Sequence, residues 1–240
     1  MASLPISTRK AGSLTVHCTG GTDGKGGGDG PAIVLSHGFG APGDDLVSLA
    51  GAIEAPAGTR WFFPEAPGVV DFGGGQQGRE WWHIDMLRIQ QAVMSGQRMK
   101  MIEETPDGLA DARTALEGCL AALSLDPART IIGGFSQGAM LSTEVQVHRD
   151  VPFAGLAILS GSLLSVDRWS PAIAERAGKL HVFQSHGQRD PIIPFEAAAA
   201  LRNLLQANGA DLEFVAFPGQ HEIPRVVLQG LGRFVQKILG

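Results

Sequence analysis

The stretch Arg129 to His148, RTIIGGFSQGAMLSTEVQVH, decides the fold. Its first half is a short apolar run of the kind that forms a strand buried on both faces, and its second half has the composition of a helix. Between them Gly134, Phe135, Ser136, Gln137 and Gly138 fit the pattern G-x-S-x-G. A serine on so sharp a strand-to-helix turn is forced toward an unusual backbone conformation. Positions two before and two after it must be nearly free of side chain for strand and helix to approach. Gly134 and Gly138 supply that room. The competing reading is a glycine-rich turn whose serine merely caps a helix, and only the rest of the chain separates the two.

Working outward, further β-rich runs occur at 32–38 (AIVLSHG), 60–66 (RWFFPEA), 153–161 (FAGLAILSG), 179–187 (KLHVFQSHG) and 211–219 (DLEFVAFPG). Helical spacing links Leu109, Ala112, Leu116, Cys119, Leu120 and Leu123, and near the end Val227, Leu231, Phe234, Val235 and Ile238. Alternation of this kind predicts an α/β fold, a mostly parallel central sheet with helices on both faces. Asp44 or Asp45 is placed to cap a helix leading to Ile53, and Asn208 with Gly209 to close the helix after Phe195. The glycine-rich 20–30, GGTDGKGGGDG, reads as a solvated hairpin loop, because Thr19 and Gly26 stand where a phosphate-binding loop of the Walker type needs Gly and Ser or Thr. A chain of 240 residues with 44% hydrophobic content suits one domain over 1–240, with 67–105 as a possible lid or acyl-pocket segment.

The formal charge of −5, from 19 basic and 24 acidic residues without long blocks, gives no footprint for nucleic acid or an anionic membrane. No run reaches the roughly 18 apolar residues of a membrane span, and MASLPISTRKAGSLTVHC lacks the apolar core of a secretory signal. Cys18 and Cys119, on an expected strand and helix without metal-ligand spacing, read as buried free thiols suited to a reducing cytoplasm.

An unassisted serine hydroxyl is a poor nucleophile at neutral pH and needs a base, oriented by a carboxylate, to take its proton. Where the nucleophile sits on such an elbow, the chain order is nucleophile, acid, histidine. Asp190 in SHGQRDPIIP and His221 in GQHEIP both follow a predicted strand, at the edge where open α/β sheets assemble their sites. Asp167 is the reserve acid, Glu222 adjoins His221, and His186 at a strand end reads as a loop support. An oxyanion needs two donors. The amide of Gln137 supplies one, and the loop SHGFGAPGDD supplies the other through Phe39. That loop also matches G-x-G-x-x-G at Gly38, Gly40 and Gly43, with Glu65 where a ribose-binding acid would stand. Asp44 and Asp45 would then face a pyrophosphate at the helix N-terminus, which is repulsive and argues against a dinucleotide.

Taken together, SHGFGAPGDDL, GGFSQGAM, HGQRDPIIP and GQHEIP resemble the phospholipase/carboxylesterase family of α/β-hydrolases, from about Ala32 to the C-terminus. The resemblance implies Ser136 as nucleophile, Asp190 as acid, His221 as base, and Phe39 with Gln137 as oxyanion donors. The segment REWWHIDM is similar to the family's tryptophan-containing stretch beside the acyl pocket, which implies Trp81 and Trp82 as substrate-binding residues. Gln220 departs from the small residue often found before the histidine, and 86–104 is longer than a minimal family core, a lid or a helix with Met94, Met99 and Met101 as gap-fillers. Dienelactone hydrolases use a cysteine, which Ser136 argues against. The expectation is a serine carboxylesterase working through an acyl-enzyme on a small ester or thioester, with no cofactor and no metal. His221 must start neutral, so activity should fall in acid. Acyl thioesterase or lysophospholipase activity is the near alternative, and a catalytically silent binding module the distant one. Apolar surface at an entrance would permit a homodimer.

Overall fold

The computed structural model describes residues 5–85, 87–88, 91, 94–95 and 104–240. Its strands are β1 (Ser7–Ala11), β2 (Leu14–Gly21), β3 (Lys25–Gly27), β4 (Ala32–Ser36), β5 (Arg60–Pro64), β6 (Gly68–Asp71), β7 (Gln77–Glu80), β8 (Thr130–Phe135), β9 (Gly155–Leu159), β10 (His181–Gly187) and β11 (Asp211–Phe217). Among the described residues, the α-helices with defined bounds are α1 (Leu109–Leu123), α2 (Gln137–Val147), α3 (Val166–Arg176), α4 (Phe195–Ala207) and α5 (Arg225–Leu239).

Apolar residues run without interruption along β4, β8 and β9 because each strand is covered on both faces. The pleat then sends neighbours to opposite sides. Val34, Phe62, Ile132, Leu156 and Ile158 join one core with α1, α3 and α4. Ile33, Trp61, Ile131, Ala157 and Leu159, each one position away, join a second core with α5. The strand order is β1-β2-β5-β4-β8-β9-β10-β11, with β3 beside β2. From β5 to β11 the neighbours are parallel, while β2 runs antiparallel to β1 and β5. Parallel order places the ends of β4, β8, β10 and β11 on one rim.

The helical spacings reappear as buried faces. Leu109, Ala112, Leu116, Cys119 and Leu120 point inward from α1, and Val227, Leu231, Phe234 and Val235 from α5. In contrast, α2 is buried on nearly every side, Ser142, Thr143, Glu144 and Gln146 included. Its polar side chains are satisfied inside: Ser142 donates to the Gly133 carbonyl, and the Gln146 carboxamide pairs with both polar main-chain groups of Phe153.

Three local expectations are refined. The glycine-rich 20–30 is not simply a solvated loop, since β3 within it pairs with β2 and the Asp23 carboxylate accepts from the amides of Lys25 and Gly27. The helix expected between Asp44 and Ile53 is a 3₁₀-helix, Asp45–Gly51, and Asp44 makes no side-chain cap. Within 67–105, the first part forms the antiparallel hairpin β6–β7. The expected lid or helix over 86–104, with Met99 and Met101, falls mostly outside the described residues. Cys18 on β2 and Cys119 on α1 are free and buried, and burial pushes the Cys119 thiol up to about 12, far from a reactive thiolate.

Candidate active site

β8 carries the chain up to Phe135, and at Ser136 it turns through φ 54°, ψ −118° into α2. Positive φ at a non-glycine residue is strained, and here close packing maintains it. A side chain at Gly134 would lie 2.3 Å from the Ser36 carbonyl, and one at Gly138 only 2.1 Å from the same oxygen. The glycines are therefore required by the approach of α2 to β4. The Ser136 amide donates to the Leu159 carbonyl at 2.9 Å, tying the turn to β9. Ser136 is 9% exposed, sheltered yet open to the cavity described below.

Asp190 and His221 lie on the loops that leave β10 and β11. Main-chain bonds from Gln188 to Phe217 and from Arg189 to Gly219 clip these loops together. The His221 Nδ1 lies 2.7 Å from Asp190 Oδ2. The other carboxylate oxygen, Oδ1, accepts from the amides of Ile192 at 2.8 Å and Ile193 at 2.9 Å. Burial by itself would raise the Asp190 carboxyl, but hydrogen bonds from His186, His221 and the Ile193 amide outweigh it and hold the group well below the usual carboxylate range. Fully buried His186 directs Nε2 at the Ile193 carbonyl, 3.0 Å away, and stands 3.3 Å from Asp190 Oδ2. It thus supports the loop that carries Asp190. The His221 ring packs 4.7 Å from the Phe135 ring, one residue before the serine.

Ser136 and His221 meet as walls of one cavity of about 770 Å³. Among the described hydrogen bonds none joins them directly, a separation that catalytic pairs often show before substrate draws them together. Gly38, Phe39 and Gln137 line the same cavity. Among the described residues, the amides of Phe39 and Gln137 donate to no other protein group. The wall is largely apolar, formed by Trp82, Ile84, Phe135, Met140, Leu163 and Ile193 among others. Asp85, Arg88, Glu104 and Asp107 add polar groups to the lining, with Arg88 and Glu104 paired.

Of the two tryptophans, Trp82 lines the cavity. Trp81 lies behind the wall, buried, with its indole N–H on the His37 carbonyl. The structure thus brings Ser136, His221, Phe39, Gln137 and Trp82 to one cavity, with Asp190 beneath His221. Asp167 does not join them: it is exposed in the first turn of α3. Glu222 folds back to accept the Gln220 amide. Glu65, the ribose-binding candidate, is engaged by His17 at 2.8 Å and Arg79 at 3.3 Å. Among the described residues no group of His, Cys, Asp or Glu side chains could hold a metal ion.

Sequence reading missed His37. Its Nε2 accepts the Ala66 amide at 2.9 Å, so its Nδ1 carries the proton and donates to the Gly38 carbonyl at 2.8 Å. Burial pushes this imidazole down toward the neutral form that such pairing needs. Its place one residue before the Gly38–Phe39 peptide was the available signal.

A strained serine elbow on the C-terminal rim of a mostly parallel sheet, with a buried carboxylate and a histidine paired on later loops, defines an α/β-hydrolase. More narrowly, the model of the Phospholipase/Carboxylesterase family matches residues 25–239, and the chain belongs to that family of serine hydrolases of carboxylic esters. Among its relatives is acyl-protein thioesterase 1 of Kluyveromyces lactis, 28% identical over 229 residues, 86% of this chain and 91% of that protein. A probable carboxylesterase of Oryza sativa subsp. japonica is 29% identical over 192 residues, 78% of each chain. The crystal structure of esterase PE8 shares the fold, with a TM-score of 0.74 at 23% identity over 98% of this chain and 99% of that one. Among the described residues no helix is long and apolar enough to cross a membrane.

Proposed function

We propose that Ser136, His221 and Asp190 hydrolyse a small-molecule ester through an acyl-enzyme. His221 takes the Ser136 proton as the oxygen attacks the acyl carbon, and the amides of Phe39 and Gln137 receive the developing oxyanion. The imidazolium then protonates the departing alcohol, and water repeats the sequence on the acyl-serine. Asp190 keeps the proton on Nδ1 of His221 and faces the positive charge that forms there. The observation that carries this reading is the strained Ser136 sharing a cavity with an imidazole whose Nδ1 lies 2.7 Å from a buried carboxylate.

The apolar wall suits an aliphatic or aryl acyl group. A thioester is the second reading, favoured by the relatives named as acyl-protein thioesterases. One chain supplies every proposed group, so the chemistry requires no second copy, and the buried free thiols suit a reducing cytoplasm. A fluorophosphonate, which needs an activated serine, should label the protein at Ser136 in one-to-one stoichiometry. Ser136→Ala should abolish both labelling and turnover of a short-chain aryl ester while leaving the melting temperature nearly unchanged. Wild-type turnover by the folded variant, or a wild-type protein that takes no label, defeats the assignment and leaves a binding module. Esters and thioesters of matched, graded acyl chains then rank the substrate classes.

A further inference from the structure

Trp81 is buried behind the cavity wall, yet its polar contacts run to both sides of the site. Its main-chain N–H donates to Gln137 Oε1 at 2.9 Å, and its indole N–H donates to the His37 carbonyl at 3.0 Å. The indole also lies against the His37 imidazole, ring centroids 5.6 Å apart. On the next residue, the Trp82 carbonyl accepts from Gln137 Nε2 at 2.8 Å. The Gln137 carboxamide is thereby held at both ends, and none of these groups contacts solvent appreciably.

These contacts bear on the two peptide units assigned to the oxyanion. One joins Gly38 to Phe39. The His37 ring holds its carbonyl, and in a trans peptide the Phe39 N–H must point the opposite way. The other joins Ser136 to Gln137, and its direction follows the Gln137 α-carbon, which the anchored side chain restrains. The two units come from the β4 loop and the start of α2, and no covalent link sets their spacing. Trp81 touches the supports of both.

We propose that Trp81 is a positioning residue that, through the Gln137 carboxamide and the His37 main chain, fixes the spacing and direction of the two oxyanion donors. The inference rests on the active-site reading above and extends it from the donors to what aims them. A residue that merely fills the core would need the indole rings but not the indole N–H, and at position 137 it would need bulk but not a carboxamide. Donors are used chiefly when the oxyanion forms, so misdirecting them should lower kcat and leave KM nearly unchanged.

The test compares wild type with Trp81→Phe, which keeps an aromatic ring and removes the indole N–H, on a p-nitrophenyl ester and the matching thionoester. Active sites are counted by complete fluorophosphonate labelling. A sulfur anion is larger and a weaker hydrogen-bond acceptor than an oxyanion, so a well-aimed pair of N–H groups favours the ester. We expect kcat per labelled site to fall about tenfold, less than the 10²–10³ typical of deleting a donor outright. The ester-to-thionoester rate ratio should fall with it. Gln137→Met, which keeps length and apolar bulk but neither polar atom, should do the same and carries the test if Trp81→Phe does not fold. Wild-type kcat in a folded variant, or a lower kcat with an unchanged ratio, overturns the proposal in favour of a packing role. A wild-type protein that takes no label overturns the active-site reading, and this inference with it.

Discussion

Two carboxylates, Asp190 and Glu144, have fully buried side chains, and they are satisfied by opposite means. Glu144, on α2, meets permanent cations: Arg168 at 2.7 Å and Arg113 at 3.5 Å, with the Trp169 indole N–H at 2.6 Å on its second oxygen. Those partners come from α1 and α3, so one side chain ties three helices behind the sheet. Asp190 is held instead by two main-chain amides and two imidazoles. The adjacent guanidinium of Arg189 turns away to the Pro218 carbonyl. A carboxylate whose charge is already neutralised by arginine has little left to offer a transient cation. One held by main-chain amides and imidazoles, with no guanidinium against it, keeps its charge for the imidazolium proposed to form during turnover. Burial alone therefore does not separate the carboxylate proposed as catalytic acid from a structural one; the kind of partner does.

The largest expected effect breaks the member of the pair proposed as catalytic. Asp190→Asn keeps the shape of the side chain but reverses one hydrogen-bonding role, so the proton moves to the wrong nitrogen of His221, and kcat should drop roughly 10³–10⁴-fold in a folded protein. The same residue predicts a pH dependence of stability. Because its carboxyl is held below the usual range in the folded chain, it contributes stability that is present above the unfolded carboxylate value of about 3.9 and is lost as pH falls toward the folded value. Urea unfolding of wild type and Asp190→Asn should thus show a gap at pH 7 that narrows below about pH 4. A gap that widens in acid has the wrong sign for this account.

Glu144→Gln should invert the pattern. Two guanidinium groups lose their shared anion, but both reach solvent in part, at 26% and 41% exposure for Arg113 and Arg168, so the cost should be about 2–3 kcal/mol rather than the 3–5 of a fully enclosed pair. For a chain of this size that is a fall in melting temperature of about 5–10 °C. Turnover per fluorophosphonate-labelled site should stay within about twofold. Loss of kcat without loss of stability would blur the distinction drawn between the two carboxylates.

The contrast also marks what a linear reading can reach. Strands β4, β8 and β9 were legible because burial on both faces leaves an uninterrupted apolar run. The elbow was legible because its glycines are fixed by backbone contact within a few residues of Ser136. The placement of Asp190 and His221 on neighbouring loops was legible from their position after strands β10 and β11. That of Glu144 was not, because a glutamate in the second turn of a helix looks like a solvated residue unless one knows that α2 is covered on nearly every side. The hairpin β6–β7 lacked a strand signal for a related reason: Val69 and Phe72 are half exposed around a glycine turn, so no buried face imposes alternation. Trp82 lines the cavity and Trp81 does not, while both are tied to Gln137 by hydrogen bonds that span 56 and 55 residues. Spacing along the chain carries no trace of such contacts.

Asp167 supplies the smallest expected effect and the sharpest control. It follows β9, as a candidate acid should, and its charge favours the first turn of α3. Yet it is exposed and lines no part of the cavity that holds Ser136. Asp167→Asn removes a helix-end charge worth about 0.3–1 kcal/mol at most, which chemical denaturation can resolve, and kcat should remain within about twofold of wild type. The two asparagine variants differ by the same atoms, so their separation in kcat isolates location from chemistry. If Asp167→Asn instead loses activity on the scale expected for Asp190→Asn, the acid role moves to α3, and the 2.7 Å contact between Asp190 and His221 becomes a loop clasp.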